Sequence, residues 1–180
     1  MLDRQAFLSV VDRTALVSVD LIVVRDASEV LLGLRKNRPA KDVWFVPGGR
    51  IFKNEKIADA LIRVAGSELG LGEEIRHGTI HPKPIGCFEH FYPDCFAEEP
   101  RISTHYVVLG HLVEVPHDFR LPAADTQHAT FRWWPIEEAA AARDVHQYTK
   151  DYLVSAYLDL KHLPKLAAHS PVAVSDFPNP

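Results

Sequence analysis

The sequence predicts an α/β layered domain. Three observations carry this: strand-like runs lie on both sides of a central segment of helical period, a second helical stretch follows near the end, and there is no internal repeat. The 180 residues suffice for one domain with a substantial core and fall short of two ordinary ones. The expected organisation is a single domain over 1–165, then a disordered tail over 166–180 that ends in Pro-Asn-Pro.

Each element has its own reason. Residues 15–24 are rich in β-branched side chains and too short for a lone buried helix, so they read as a strand that Asp20 interrupts. A turn from Arg25 to Ser28 and a strand over 29–34 complete a hairpin, followed by the polar stretch Arg35 to Asp42. The short apolar segment Val43 to Val46 runs into Pro47-Gly48-Gly49, where glycines permit a tight turn. From Glu55 to Leu69 the period becomes helical, with Ile57, Leu61, Ala65 and Leu69 on one stripe, Asn54 as N-cap and Gly70 as C-cap. Strands are expected near Pro84 to Phe91, over Thr104 to Val115 with Val107, Leu109 and Val113 on one face, and over Thr130 to Trp134. Pro135, Glu137 and Glu138 mark a helical first turn, and residues 146–162 place Tyr152, Ala156, Tyr157 and Leu160 at helical spacing.

Composition narrows the class. Hydrophobic residues at 47% and charged ones at 24% match an ordinary soluble chain, and no apolar run approaches the roughly 20 residues that cross a bilayer. No membrane association is expected. The start Met-Leu-Asp-Arg carries no basic-then-apolar signal, and Cys87 and Cys95 have no metal-type spacing, so a reduced, cytoplasmic protein is expected. A formal net charge of −4 argues against a broad nucleic-acid surface and leaves room for a small anionic substrate met by a local cluster of cations.

The chemistry concentrates in Gly49-Arg50-Ile51-Phe52-Lys53-Asn54-Glu55, then seven residues to Arg63, then Glu68-Leu69-Gly70-Leu71. This stretch resembles the Nudix box, in which a glycine loop leads into a helix whose acidic face binds divalent metal. The resemblance implies a Nudix-type α/β/α sandwich with a mixed sheet. Two departures accompany it. Arg63-Val64 and Ser67-Glu68 stand where the usual pattern has Arg-Glu and a Glu-Glu pair, which favours one Mg²⁺ over several and requires a base from elsewhere. The same substitutions mark the GDP-mannose mannosyl hydrolase subgroup. Leu16 to Asp20, Leu31 to Arg35, Asn37 to Ala40, Trp44 to Arg50, His90 to Tyr92, Thr104 to Gly110 and Gln127-His128 are similar to that subgroup as well.

The resemblance implies Mg²⁺ held by the Gly49 carbonyl, Glu68 and Gln127, with His128 as general base, since an imidazole of ordinary pKa near about 6.5 accepts a proton at neutral pH. Arg35 and Asp20 would assist departure of GDP; Arg50, Arg63, His90 and Tyr106 would contact substrate. Ordinary roles stand beside these: Arg63 as an ion-pair partner of Glu68, His90 as a hydrogen-bonded strand residue, Tyr106 as core, and Trp44, Trp133 and Trp134 as core in place of guanine-stacking groups. The implied reaction is water attack at the anomeric carbon of GDP-mannose or GDP-glucose with inversion. The implied partners are a small-molecule nucleotide sugar and a second copy of the chain in a homodimer. A conventional pyrophosphohydrolase and a non-catalytic nucleotide-sugar-binding module are the alternatives.

Overall fold

The computed structural model describes residues 3–121 and 127–161, with backbone alone from 157 onward. The expected tail, 166–180, lies outside the described residues. Twelve elements follow in order: α1 (Arg4–Arg13), β1 (Leu16–Arg25), β2 (Glu29–Arg35), β3 (Trp44–Phe45), β4 (Gly48–Arg50), α2 (Ile57–Leu69), α3 (Gly72–Arg76), β5 (Lys83–Tyr92), β6 (Thr104–Glu114), β7 (His128–Pro135), α4 (Ile136–Ala141) and α5 (Gln147–Lys161). Among the described residues no helix is long and apolar enough to cross a membrane.

The seven strands form one mixed sheet. Its path runs β3-β2-β1-β6-β5, with β4 pairing β1 and β7 pairing β2. β1 runs parallel to β6 from Leu16 against Tyr106 to Val24 against Glu114, while the other pairings are antiparallel. β1 and β2 pair only beside their connecting turn, at Val24 with Val30 and Arg25 with Glu29. Farther out the two strands change partners: Ser18 to Asp20 of β1 pair with β4, and Gly33 and Leu34 of β2 pair with β3. The hairpin therefore opens like a fork.

Alternation along β1 assigns the two faces of the sheet. Val19, Leu21 and Val23 pack with Ala60, Leu61, Val64, Ala65 and Leu69 of α2. Ile22 and Val24 pack with Ile136 and Ala139 of α4 and with Tyr152, Leu153 and Ala156 of α5. Asp20 shares the parity of Ile22, so its side chain falls on the α5 side. Trp134 is buried in the α5-side core with Trp44 edge-on against it, and Trp133 packs on the α2 side beside Phe119.

The structure departs from the sequence reading at four places. α1 was unexpected: Asp3 caps it by accepting from Ala6 N at 2.8 Å, and Leu8 and Val11 bury against Leu16 and Cys95. α3 is one short turn-like helix after Gly70. Asn54 is not the N-cap of α2, because it sits at φ 66° in a left-handed turn and Lys56 takes the cap position. Gly48 and Gly49 lie extended in β4 and make no tight turn. Their smallness serves close approach, since a Cβ on Gly48 would stand 2.3 Å from Asp20 Oδ1 and one on Gly49 2.9 Å from Val64 Cγ2.

Gly33 marks a similar contact deeper in the sheet. A Cβ there would lie 2.4 Å from His128 Cδ2 and 2.9 Å from Phe131 Cε1, neither of which is the loose end of a flexible chain. Gly33→Ala should lower the urea unfolding free energy by about 1–3 kcal/mol, the usual cost of overpacking. An unchanged midpoint would show that β7 yields easily at His128.

Candidate active site

The fork between β1 and β2 opens into a cavity. Asp20 of β1, Arg35 of β2, Gly48, Gly49 and Arg50 of β4, Arg63 and Glu68 of α2, His90 of β5, Tyr106 of β6 and Gln127 all line it. The structure thus brings together every site residue expected from the sequence except His128. None of the three tryptophans lines the cavity.

Glu68 organises one wall. The residue is only 7% exposed. Oε1 accepts from Gln127 Nε2 at 2.7 Å, while Gln127 Oε1 accepts from Arg35 Nη1 at 3.3 Å. Oε2 lies 3.2 Å from His128 Nδ1, yet the geometry is not that of a hydrogen bond. His128 is wholly buried behind this carboxylate, its ring tilted against Phe131 at 4.8 Å. In this arrangement the imidazole is not among the residues that line the cavity.

Three arginines supply the positive charge. Arg63 does not pair with Glu68: its Nε and Nη2 donate to Glu55 at 2.6 and 2.8 Å, and Nη2 also donates to the Arg50 carbonyl at 2.7 Å. The Arg63 hydrogen bond is the main reason the Glu55 carboxyl stays below its usual range. This fork-to-carboxylate pair holds the 50–55 segment against α2. Arg50 lies over the Phe7 ring at 3.9 Å, so α1 steadies a cavity arginine by a cation–π contact. Arg35 donates to Pro39 O at 3.4 Å, and its Nε is buried without a hydrogen-bond partner, a donor available to an anion.

The opposite wall is a buried polar chain. Tyr152 of α5 donates its hydroxyl proton to Asp20 Oδ2 at 2.8 Å and meets His90 Nε2 at 2.9 Å. Burial dominates Asp20 and pushes its carboxyl up to about 7, against the lowering effects of Tyr152 and then Arg35. Burial likewise holds His90 down to about 4, so this imidazole is neutral. His90 is therefore both a hydrogen-bonded strand residue and a wall of the cavity. Tyr106 joins the wall while also packing against the core, and burial raises its phenol. The sequence reading missed Tyr152, which it placed only on an apolar helix face. The available signal was that a buried tyrosine hydroxyl needs a partner.

Comparison with known proteins sets the family. The model of the NUDIX domain matches residues 14–154, most of the chain. The chain belongs to the Nudix hydrolase family. It is 42% identical over 147 residues to the low-salt glycan biosynthesis protein Agl8 of Haloferax volcanii, covering 81% of this chain and 84% of that protein. The fold is similar to the E. coli dihydroneopterin triphosphate pyrophosphohydrolase, at TM-score 0.63 and 15% identity, covering 82% of this chain and 99% of that one. It is also similar to the NUDIX domain of Shewanella oneidensis NrtR complexed with ADP ribose, at TM-score 0.58 and 17% identity over 88% and 94% of the two chains.

Within this Nudix fold the two departures from the box have visible places. Val64 packs beneath Gly49 and Ser67 donates to the Val64 carbonyl at 3.2 Å, so neither offers a carboxylate to the cavity they line. Nudix hydrolases generally use a divalent metal such as Mg²⁺. Among the described residues no group of three or more His, Cys, Asp and Glu side chains is placed to hold one. The cavity lining does include Glu68, a buried carboxylate with one oxygen outside any hydrogen bond, and Gln127, whose side-chain oxygen is neutral. That set fits a hard ion that keeps most of its shell for water and substrate oxygens, as Mg²⁺ does.

Asp20 gives this site a pH signature. Its folded pKa is raised, so its stabilising contribution is complete below the unfolded value of 3.8 and is lost as pH rises through about 7. Measured by urea unfolding in EDTA, Asp20→Asn should gain on the wild type by about 2 kcal/mol between pH 5.5 and 8.5. A constant difference across that range would mean that Asp20 ionises without penalty.

Proposed function

We propose that this Nudix hydrolase is a Mg²⁺-dependent GDP-mannose mannosyl hydrolase that releases GDP and free mannose, with GDP-glucose as the competing substrate. One observation carries the reading: α2 presents Val64 and Ser67 to the cavity where the usual box has carboxylates. The helix thus lacks the groups that serve attack at phosphorus. Three cavity arginines favour a substrate whose leaving group is a diphosphate. The name of the Haloferax relative adds support, because glycan assembly draws on activated sugars.

In this reading water oxygen bonds to the anomeric carbon as the carbon–oxygen bond to the diphosphate breaks, and the electron pair leaves with GDP. The configuration inverts. Arg35, with its unpartnered Nε, takes the charge gathering on the departing diphosphate. Arg50 and Arg63 bind the same anion, held in place by Phe7 and Glu55 respectively. His90 and Tyr106 bound the cavity beside the sugar. Glu68, Gln127 and the Gly49 carbonyl would hold Mg²⁺, which when bound neutralises diphosphate charge.

The water proton has two candidate acceptors. The resemblance assigns it to His128, whose imidazole must first come out from behind Glu68 and Gln127. Asp20 is favoured by its position on the cavity wall and a carboxyl raised to about 7. His128→Gln should cut kcat by about two to four orders of magnitude if His128 is the base. A loss below tenfold at neutral pH transfers the role to Asp20.

The reaction itself is tested in ¹⁸O-labelled water with GDP-mannose and Mg²⁺. Label in free mannose alongside unlabelled GDP is expected. Label in GMP or mannose 1-phosphate would make the protein a conventional pyrophosphohydrolase, and nucleotide-sugar binding without turnover would make it a binding module.

A further inference from the structure

We propose that Tyr152 is a positioning residue of this site, its one hydroxyl tying Asp20 to His90 so that the charge state of the carboxylate and the ring tautomer of the imidazole are set together. The inference deepens the proposed function and rests on it only for the kinetic outcome.

Proton counting carries the argument. A tyrosine hydroxyl has one proton. Tyr152 gives it to Asp20 Oδ2 at 2.8 Å, so the 2.9 Å contact with His90 Nε2 must be filled by a proton on the imidazole. Neutral His90 is thereby the Nε2–H tautomer. Its Nδ1 is then an acceptor, 3.4 Å from the Tyr92 hydroxyl. Every donor in the chain Tyr92, His90, Tyr152 points toward the Asp20 carboxylate. When Asp20 takes a proton it becomes the donor, Tyr152 turns to His90 Nε2, and the ring proton moves to Nδ1.

The surroundings hold this chain rigid. The His90 ring stacks on Tyr148 at 3.9 Å and 2°, and the Tyr148 hydroxyl is fixed between Phe91 N and Phe91 O at 2.8 and 2.9 Å. Phe88 meets the Tyr152 ring edge-on at 4.7 Å. The groups that act on Asp20 come from four elements: Arg35 from β2, Tyr92 from β5, Tyr106 from β6, and Tyr152 from α5, while His90 of β5 reaches it through Tyr152. Tyr152 is the member that touches Asp20 and His90 at once. It does not line the cavity, so it acts through them.

Tyr152→Phe removes the hydroxyl and keeps the ring that packs on Phe88. The test reads the ¹⁵N resonances of the His90 imidazole at pH 8 without metal or substrate, assigned against His90→Gln. The wild type should show the Nε2–H tautomer alone, and Tyr152→Phe a mixture of the two. Identical tautomers in both proteins would overturn the proposal. In the wild type, acidification through pH 7 should move the ring proton to Nδ1. A wild-type His90 that keeps Nε2–H down to pH 5.5 would overturn it as well, even if the variant did not fold. With GDP-mannose, Tyr152→Phe should lower kcat about tenfold to a hundredfold with KM within threefold, as expected for a lost hydrogen bond to a charged group. Absence of wild-type turnover would defeat the proposed function and leave the tautomer result to decide the role of Tyr152.

Discussion

Glu68 is the constraint on which the site depends. A carboxylate taken this far out of water is costly unless other groups meet it. Here they come from distant parts of the chain: Gln127 hydrogen-bonds it, His128 stands behind it, and Arg35 reaches it through Gln127. One side chain thus ties α2, β2 and the start of β7 around the fork in the sheet. The same burial leaves one carboxylate oxygen without a hydrogen bond, the kind of vacancy in bonding that a cation satisfies. Holding the wall together and, in the proposed function, offering an oxygen to a metal are two results of one packing decision.

The fork gives the two halves of the site different chemistry. On the α2 side the cavity is lined by Arg63, whose charge is matched by Glu55, and by Glu68, which is held by the neutral amide of Gln127. On the α5 side Asp20 is buried among phenols and a neutral imidazole, where ionisation is resisted. Parity along β1 produces the separation, because Val19 and Asp20 must point to opposite faces. A carboxylate kept at a cost to stability is the usual trade of a functional site. Gly48 belongs to this arrangement, since any larger residue would press on the Asp20 carboxylate.

Much of this was legible in the sequence. β-branched runs located β1, β2 and β6, and the stripe from Ile57 to Leu69 located α2, because periodicity reports burial directly. Family resemblance located the cavity residues from Asp20 to Gln127. What sequence could not supply was depth and pairing. The spacing of Arg63 and Glu68 permitted an ion pair, yet Arg63 turns to Glu55, which the left-handed turn at Asn54 brings within reach. His128 beside Gln127 gave no hint that one lines the cavity and the other lies behind it. α1 escaped notice because ten residues with two valines carry little helical signal, and its link to Arg50 through Phe7 joins residues remote in sequence.

The central claim is that one buried carboxylate, Glu68, prepares the cavity to hold a divalent ion with mostly neutral and substrate oxygens. Titration of Mn²⁺, a paramagnetic stand-in for Mg²⁺, into the protein with GDP present, followed by electron paramagnetic resonance, tests it directly. The account predicts one bound ion per chain, with affinity lowered at least tenfold by Glu68→Gln and little changed by Asp20→Asn. Unchanged affinity in Glu68→Gln would contradict it and place the ion elsewhere.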